Sequence, residues 1–514
     1  MQWKDFSLCS TGFCSKTSKD QEEMRPLLDI EENESTTPWA SLWLVNAMCF
    51  FCALSFTIFM PTLWPFLHQI DSEAEQTFIG YVVAAFSVGQ AVSSPVFGYW
   101  SNHIRQTKLP AAAAITLQLI SNVIYCFIEA WPETNRKWVL IGARLLCGLS
   151  AGVVALLRAY ASTASTYQDR GRAITLVTAA FALGLIIGPG MQAAFAPIGY
   201  PGLVFGPFHL DIFTAAAFFS IVVDIILLIC LFTCFRERYA GLVDEREQKD
   251  LPKPDLVAAC NCFLAQFVMM AVVTNLETVQ SPYTMIMYHW DSEEASTFNS
   301  LVMAAGGVFS FFTYMLFAIK KDLYVCMNER RATVLGLVLM LLFHVATYPW
   351  PFFPEKITDA YSSVSALEAN QTTTGLESLS ASSQVVCTPE MTWCERTTVV
   401  PILLFCISYV IFVGIGFPIV NAPVATLFSK ILGPRRQGTM QGFLLLSGSA
   451  ARTLGPIVMM FAFTKWGPQS IWGIEAVLLI IGILPWLLIW KRMVPFNPRK
   501  YEPLHNNNVY SNET

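Results

Sequence analysis

The chain has 514 residues, of which 54% are hydrophobic and only 13% are charged, and its formal net charge is −5. A soluble domain would carry about 25% charged residues, so this composition excludes an ordinary soluble protein. The solvent that tolerates so little charge is lipid. We therefore expect a protein of the lipid bilayer, with no nucleic acid among its partners.

Twelve long apolar runs follow one another along the chain. A helix needs about 20 apolar residues to cross a bilayer, and its backbone must satisfy its own hydrogen bonds there. The runs do not alternate in polarity as barrel strands do. The sequence therefore predicts an all-α membrane protein with twelve transmembrane helices. The runs cover 40–66, 77–100, 109–130, 138–163, 173–196, 210–235, 256–281, 297–319, 332–353, 399–427, 439–464 and 469–490.

Lysine and arginine are distributed unequally between the two sides of the predicted bundle. The two tails and the loops on their side hold 24 of the 32, the opposite side holds five, and the spans hold three. Basic residues collect on the cytosolic side of membrane proteins, so both termini are predicted to be cytosolic. The first 38 residues lack the apolar stretch of a cleavable signal peptide, so we expect the first span to direct insertion.

An internal repeat divides the spans into two groups of six. Gly171 precedes Gly188-Pro189 by 17 residues in the fifth span, and Gly438 precedes Gly455-Pro456 by the same 17 residues in the eleventh. Both segments follow a basic cytosolic loop, so they occupy equivalent positions in two related halves. The predicted parts are a tail at 1–38, a half at 39–235, a central loop at 236–255, a half at 256–490 and a tail at 491–514.

The loop at 354–398 is the only large segment predicted on the non-cytosolic side. It contains the sequon Asn370-Gln371-Thr372, which predicts glycosylation at Asn370. It also contains Cys387 and Cys394, the only cysteines predicted on that side. In an oxidising compartment two such cysteines are expected to form a disulfide, and two free thiols are the alternative.

Five charged residues within the spans are candidates for a substrate or ion pathway, because charge in a bilayer is costly and usually functional. The arginines suit an anionic substrate, and Glu277 suits a coupling proton. The structural alternatives are a buried Glu277–arginine pair, a helix-locking role for Arg144, local pairing of Asp224, and extension of Arg158 to the cytosolic interface. The candidates are Arg144, Arg158, Asp224, Glu277 and Arg452.

Both cytosolic tails contain short patterns typical of endolysosomal sorting signals. Glu23 lies four residues before the pair Leu27-Leu28, and Tyr501 lies three residues before Leu504. An acidic dileucine pattern and a tyrosine-based pattern predict binding of sorting adaptors and residence in the lysosomal or late endosomal membrane. The alternative is a plasma-membrane protein with fortuitous tail residues.

Local motifs resemble those of the major facilitator superfamily. The segment Gly98-Tyr-Trp-Ser-Asn102, followed by Arg105, is similar to the family's loop motif after the second span, with Asn102 where aspartate is usual. Arg144-Leu-Leu-Cys-Gly148 is similar to its fourth-span motif. The Gly188-Pro189 segment is similar to its antiporter motif without the final glycine pair. The resemblance implies a facilitator fold of two six-helix halves, with Arg144, Glu277 and Arg452 facing a central pathway.

A closer resemblance covers about residues 20–495. The segments WPFLHQID, SPVFGYWSN, LETVQSPYTM, TWCER and FSKILGPRRQG are similar to the lysosomal major-facilitator-domain-containing protein 8 family, which includes the protein linked to late-infantile neuronal ceroid lipofuscinosis. This resemblance implies a late endosomal or lysosomal location and permeation of anions, notably chloride.

The sequence contains no Walker loop, zinc-spaced ligand cluster or nucleophile elbow, so we expect neither an enzyme nor a cofactor. Three hypotheses remain. The first is a transporter of small anionic solutes that works by alternating access and is coupled to protons. The second is a chloride or anion channel with the same fold. The third is a sensor or scaffold that does not transport, for which Asn102 is the only support.

Overall fold

The structure is a computed structural model, and it describes residues 36–71, 78–205, 208–242, 253–290, 292–319, 328–357 and 393–496. The predicted sorting residues, the predicted glycosylation site and one predicted disulfide cysteine lie outside the described residues. They are Glu23, Leu27, Leu28, Asn370, Cys387, Tyr501 and Leu504.

The described residues of the N-terminal half form eight α-helices and one short hairpin. The first span is interrupted by a single 3₁₀ turn, Met60–Thr62, which contains Pro61, and the fourth span is interrupted at Gly152. The helices are α1 Trp39–Thr57, α2 Leu63–Ile70, α3 Phe78–Ile104, α4 Lys108–Cys126, α5 Glu133–Ala151, α6 Val153–Ala164, α7 Arg170–Phe195 and α8 Ala215–Thr233. The antiparallel strands β1 Leu203–Phe205 and β2 Phe208–Leu210 connect α7 to α8.

Six further helices lie in the described part of the C-terminal half. A π-helical turn, Tyr409–Val413, joins two of them, and the longest helix breaks at Gly467, where φ is 77°. Residues that carry a side chain rarely adopt that φ, whereas glycine adopts it readily, so Gly467 permits the break. The helices are α9 Leu256–Tyr288, α10 Ser292–Ile319, α11 Glu329–Ala346, α12 Ile402–Ser408, α13 Gly414–Leu432 and α14 Gly438–Leu488.

Ten described helices are long and apolar enough to cross a membrane. The last of them, α14, breaks at Gly467 and so covers the eleventh and twelfth predicted runs. The helix α11 matches the ninth run, although it begins with three consecutive charged residues. The predicted all-α membrane fold is confirmed. The side of the membrane on which each end lies stays a prediction, and "cytosolic end" below means the end assigned by lysine and arginine.

The repeated glycines pack equivalent helices together in the two halves. A Cβ atom at Gly188 of α7 would lie 2.1 Å from Oγ1 of Thr57, the last residue of α1. A Cβ atom at Gly455 of α14 would lie 2.4 Å from Asn275 Oδ1 in α9. The helices α1 and α9 are the first of their halves, so the sequence repeat corresponds to a repeat in packing. Pro189 and Pro456 follow within α7 and α14.

Each half has its own apolar core. The largest cluster of buried apolar side chains lies wholly within the C-terminal half and includes Trp472 and Trp486. The buried residues of the next two clusters, which include Tyr160 and Phe66, all belong to the N-terminal half. Two units with separate cores can move relative to each other without exposing either core.

We predict that Gly184→Ala destabilises the N-terminal half. A Cβ atom at Gly184 of α7 would lie 2.3 Å from the carbonyl oxygen of Phe50 in α1, and overpacking of this kind costs about 1–3 kcal/mol. Gly190→Ala is the matched control, because a Cβ atom there has nothing within 4 Å. Thermal unfolding of the purified protein should show a lower midpoint for the first variant alone. Equal midpoints would contradict the close packing of α1 on α7.

Candidate functional site

Two arginines from different halves meet at one aromatic ring in the middle of the bundle. The guanidinium carbon of Arg144 (α5) lies 5.9 Å from the centroid of Phe56 (α1), and that of Arg452 (α14) lies 5.3 Å from it. Both distances allow an attractive interaction between cation and ring face. The structure therefore brings together two of the arginines that the sequence predicted for a pathway.

Arg144 is buried without a full set of hydrogen-bond partners. Its side chain is 2% exposed, and its Nε and Nη2 atoms have no hydrogen-bond partner among the described residues. Phe59 and Phe86 also face the guanidinium, at 5.6 and 5.7 Å. Ring faces attract the cation but do not replace its hydrogen bonds, and an unpaired buried charge is costly. Such an arginine is suited to an anion that supplies the missing acceptors.

Glu277 and Arg452 face each other across accessible space. Glu277 is exposed and Arg452 is half-buried, and the two interact electrostatically. Within the described part of the chain, neither forms an ion pair or a hydrogen bond. The directly bonded pair that the sequence left open is therefore not observed.

A polar stripe along α9 shows which environment this space provides. Thr274 and Thr278 are half-buried, whereas Glu277 and Ser281 are exposed. Their spacing of three and four residues places them on one helix face. A face turned toward lipid would be apolar, so this polar face is suited to line a water-accessible pathway.

The two halves contact each other at the cytosolic end through Asn102. Its Oδ1 atom accepts a hydrogen bond of 3.1 Å from the Gly438 backbone N–H, and its Nδ2 atom donates one of 2.9 Å to Thr439 Oγ1. A Cβ atom at Gly98 would lie 2.2 Å from the Gly438 carbonyl oxygen. Asn102 therefore accepts a hydrogen bond at the N-terminus of α14, as an aspartate would. We call Asn102, Gly98, Gly438 and Thr439 the cytosolic latch.

Two further hydrogen bonds join the halves, one about three helical turns from the latch and one beside it. Ser449 Oγ donates to Gln90 Oε1 over 3.2 Å, and Ser162 Oγ donates to Gln437 Oε1 over 3.1 Å. Arg105 directly follows the last residue of α3 and has a φ of 61°. It lies three residues after Asn102 of the latch. Together with the latch, these contacts hold the two halves against each other toward the cytosolic end.

Arg158 and Asp224, the remaining candidates, have different surroundings. Arg158 does not extend to the cytosolic interface, which corrects that alternative: it is 5% exposed and its Nε atom lacks a hydrogen-bond partner. It interacts electrostatically with Tyr314 of the opposite half. Asp224 is buried inside the N-terminal half, where it accepts a 2.9 Å hydrogen bond from Asn122. The structure does not bring Asp224 to the central cavity, and the local pairing considered for it is observed.

A buried histidine–glutamate pair was missed by the sequence analysis. His344 Nε2 (α11) lies 2.5 Å from Glu475 Oε2 (α14), and both side chains are buried. His344 Nδ1 lies 2.8 Å from the Met340 carbonyl oxygen. A small cavity beside the pair is lined partly by Asn275 and Gln280, whose amide groups lack hydrogen-bond partners. The signal was present in the sequence, because Glu475 is a lone acidic residue in the last apolar run.

Among the disulfide candidates, only Cys394 is described, and it is disulfide-bonded. The nine free cysteines of the described residues lie in the helices of the bundle or directly after one. This distribution agrees with the expectation that bonded cysteine belongs to the non-cytosolic loop.

Comparison with known proteins shows which sequences the chain resembles. The family model "Major Facilitator Superfamily" matches residues 45–369. "Major facilitator superfamily domain-containing protein 8" of Xenopus laevis is 31% identical over 513 residues, covering 94% of this chain and 99% of that protein.

Two solved structures have the same fold at lower sequence identity. The human organic anion transporter MFSD10 (TETRAN) matches with a TM-score of 0.62 and 15% identity, over 87% of this chain and 99% of that one. The proton:xylose symporter XylE, bound to 6-bromo-6-deoxy-D-glucose, matches with a TM-score of 0.62 and 13% identity, over 89% and 96%.

We predict that Asn102→Ala opens the cytosolic end more often. The variant loses two hydrogen bonds between the halves, each contributing about 0.5–1.5 kcal/mol, so the open population should rise about tenfold. Ser94 is fully buried at this contact, and labelling of Ser94→Cys by an impermeant maleimide reports opening. Labelling should be faster with Asn102→Ala and unchanged with Asn102→Asp, which keeps the acceptor. Equal rates for Asn102→Ala and the parent protein would refute the latch.

We predict that His344→Ala and Glu475→Ala each destabilise the C-terminal half by about 3–5 kcal/mol, because each leaves a buried polar partner unpaired. The double variant should be more stable than the sum of the single effects predicts, by about 0.5–3 kcal/mol. Denaturant unfolding of purified protein measures these values. Combining His344→Ala with Ile483→Ala is the control, and that combination should be additive. Additivity of the His344 and Glu475 variants would mean that the pair is not coupled.

Proposed function

Since the chain belongs to the major facilitator superfamily, we propose that it is a secondary transporter of small anionic solutes in the lysosomal or late endosomal membrane. Its relatives are transporters, which supports a transport role over an enzymatic one. The observation that carries the proposal is the convergence of Arg144 and Arg452 on Phe56.

The chemistry of the site favours an anion. Guanidinium groups remain charged at any physiological pH and present several donors in a plane, which suits carboxylate or phosphate groups. Arg144 has two nitrogen atoms without partners, and Arg452 has no ion pair among the described residues. A neutral substrate can accept hydrogen bonds from these donors but leaves their positive charge uncompensated. The printed description of MFSD10 as an organic anion transporter agrees with this substrate class.

The arrangement of the two halves supports alternating access. Each half has its own core, and the cytosolic latch joins them mainly through polar contacts between α3 and α14. Hydrogen bonds of this kind contribute little net free energy each, so the latch can open while the halves stay folded. The state described here is closed at the cytosolic end, and the opposite state requires the latch to separate.

Glu277 is the proposed proton carrier. When it is ionised, its negative charge competes with a substrate anion for Arg452, with which it interacts electrostatically. When it is protonated, that competition ends and the anion binds more tightly. Proton and anion therefore move together from the acidic side of the membrane, as a symport.

Residence in the endolysosomal membrane is supported by the tails. The patterns at Glu23, Leu27-Leu28 and Tyr501–Leu504 suit sorting adaptors, and the sequon at Asn370 suits a lumenal glycan. The relative from Xenopus laevis spans nearly the whole chain, so the proposal concerns the chain as a single transport unit.

A chloride channel is the second candidate. Three phenylalanine rings surround the guanidinium of Arg144, an enclosure that suits a small monovalent anion better than a bulky one. The sensor or scaffold hypothesis lost its only support, because Asn102 makes the contacts with α14 that an aspartate would make.

We predict that Arg452→Ala lowers anion flux about 10- to 100-fold, since a hydrogen bond to a charged group contributes about 1.5–3 kcal/mol. Flux is measured in proteoliposomes with an imposed pH gradient, together with current in patch-clamped lysosomes. Arg492→Ala is the matched control: it removes an arginine whose ion pair with Asp255 lies outside the cavity, and flux should be unchanged. Glu277→Gln should abolish proton-driven uptake and keep anion exchange.

The outcomes separate the two candidates. Uptake that requires the pH gradient and is lost with Glu277→Gln supports the transporter. A chloride current that persists without a gradient and changes with Arg452→Ala supports the channel. If neither variant alters flux or current, the assignment of the pathway to these residues is wrong.

A further inference from the structure

Three potential metal ligands meet at the non-cytosolic end of the N-terminal half. Glu129 lies in the 3₁₀ turn after α4, His209 lies in β2, and Asp211 lies between β2 and α8. One ligand atom from each residue lies within 4.8 Å of the others. Glu129 is distant in the sequence from His209 and Asp211, which are two residues apart, and the hairpin brings those two close to Glu129.

One potential ligand atom of each residue in this cluster lacks a hydrogen-bond partner, although His209 and Glu129 also form a close contact with each other. Glu129 Oε1, His209 Nδ1 and Asp211 Oδ2 are buried and lack hydrogen-bond partners among the described residues. His209 Nδ1 approaches Glu129 Oε2 to 2.6 Å, but without hydrogen-bond geometry. Unsatisfied buried polar atoms are rare in native proteins and require an explanation.

Asp211 gives the strongest indication of a cation-binding site. Its side chain is completely buried, and its Oδ1 atom accepts hydrogen bonds from the backbone N–H groups of Phe213 and Thr214. Its Oδ2 atom has no hydrogen-bond partner. Among the described residues, the neighbouring Arg136 forms its ion pair with Glu133 and donates to the carbonyl oxygens of Glu129 and Trp131, not to the carboxylates of the cluster.

We propose that Glu129, His209 and Asp211 bind a divalent transition-metal ion. Two carboxylates and a neutral imidazole match the charge of such an ion, and a mixed nitrogen and oxygen set favours zinc, manganese or cobalt over calcium and magnesium, which prefer oxygen alone. Glu129 and His209 are partly exposed, so water completes the coordination and the ion reaches the site from the non-cytosolic compartment.

The ion would stabilise the part of the N-terminal half that borders the candidate functional site. It links the α4–α5 connection to the hairpin that precedes α8. Asp211 interacts electrostatically with Tyr125, whose ring packs on Phe59 and Phe66. Phe59 in turn faces Arg144. This role does not depend on which solute the protein transports.

Isothermal titration of the purified, chelator-treated full-length protein with ZnCl₂ tests the proposal. The wild-type protein should bind one zinc ion at this site and gain thermal stability, whereas His209→Ala and Glu129→Gln should lower the affinity at least tenfold. Glu133→Gln is the matched control: this exposed glutamate lies four residues from Glu129 and outside the cluster, so binding should be unchanged. CaCl₂ and MgCl₂ should give no comparable stabilisation.

Several results would overturn the proposal. Zinc binding that is absent from the wild-type protein, or equal in the wild-type protein and both variants, means that the cluster is not the site. An equal effect of calcium excludes the transition-metal class. With CoCl₂, an intense thiolate charge-transfer band that persists in His209→Ala would assign the metal to a cysteine. Asp211→Asn serves only as a second variant, because Asp211 also caps the start of α8.

Discussion

An arginine buried without hydrogen-bond partners is the constraint on which the centre of this molecule depends. Placing a charge within the bilayer is costly, and most buried charges are therefore paired. His344 and Glu475 show the paired solution within the C-terminal half. Arg144 shows the opposite: its guanidinium is surrounded by ring faces, and two of its nitrogen atoms have no acceptor among the described residues. A protein stable enough to tolerate this unsatisfied group can use it to bind a ligand. The free energy gained when the ligand accepts its hydrogen bonds then contributes to the affinity.

The same contrast separates packing within the halves from packing between them. Gly184 and Gly188 let α7 approach α1 so closely that a single added carbon would clash, and such contacts cannot be broken without opening the core of the half. Between the halves, close glycine packing also occurs at Gly98 and Gly438, but it is accompanied by hydrogen bonds of Asn102 that water can replace. The contacts within a half belong to its core, whereas the contacts between the halves can separate without opening either core. Movement of whole halves is therefore less costly than deformation within one.

The sequence predicted the features that depend on local composition, and it missed those that depend on distant residues meeting. Each apolar run predicted a helix because lipid demands an internally bonded backbone. The equal offsets from Gly171 and Gly438 predicted equivalent packing. No local pattern could pair His344 with Glu475, which is 131 residues away, or bring Glu129 to His209. The sequence could not decide whether the Arg158 side chain reaches the cytosolic interface or is buried. It showed how far Arg158 lies from the end of its helix, but not which helices pack around it.

The two halves contribute different charged groups to the central site. In the N-terminal half Arg144 has aromatic neighbours, whereas in the C-terminal half Arg452 has Glu277 nearby. Under the proposed mechanism, the three groups together carry one positive charge when Glu277 is ionised and two when it is protonated. Each bound anion therefore meets a stronger field after protonation. Binding free energies are reciprocal, so a bound anion favours the protonated carboxyl by the same factor. Arg144 alone would bind an anion without this coupling; the acidic residue beside Arg452 is what links anion binding to a proton gradient.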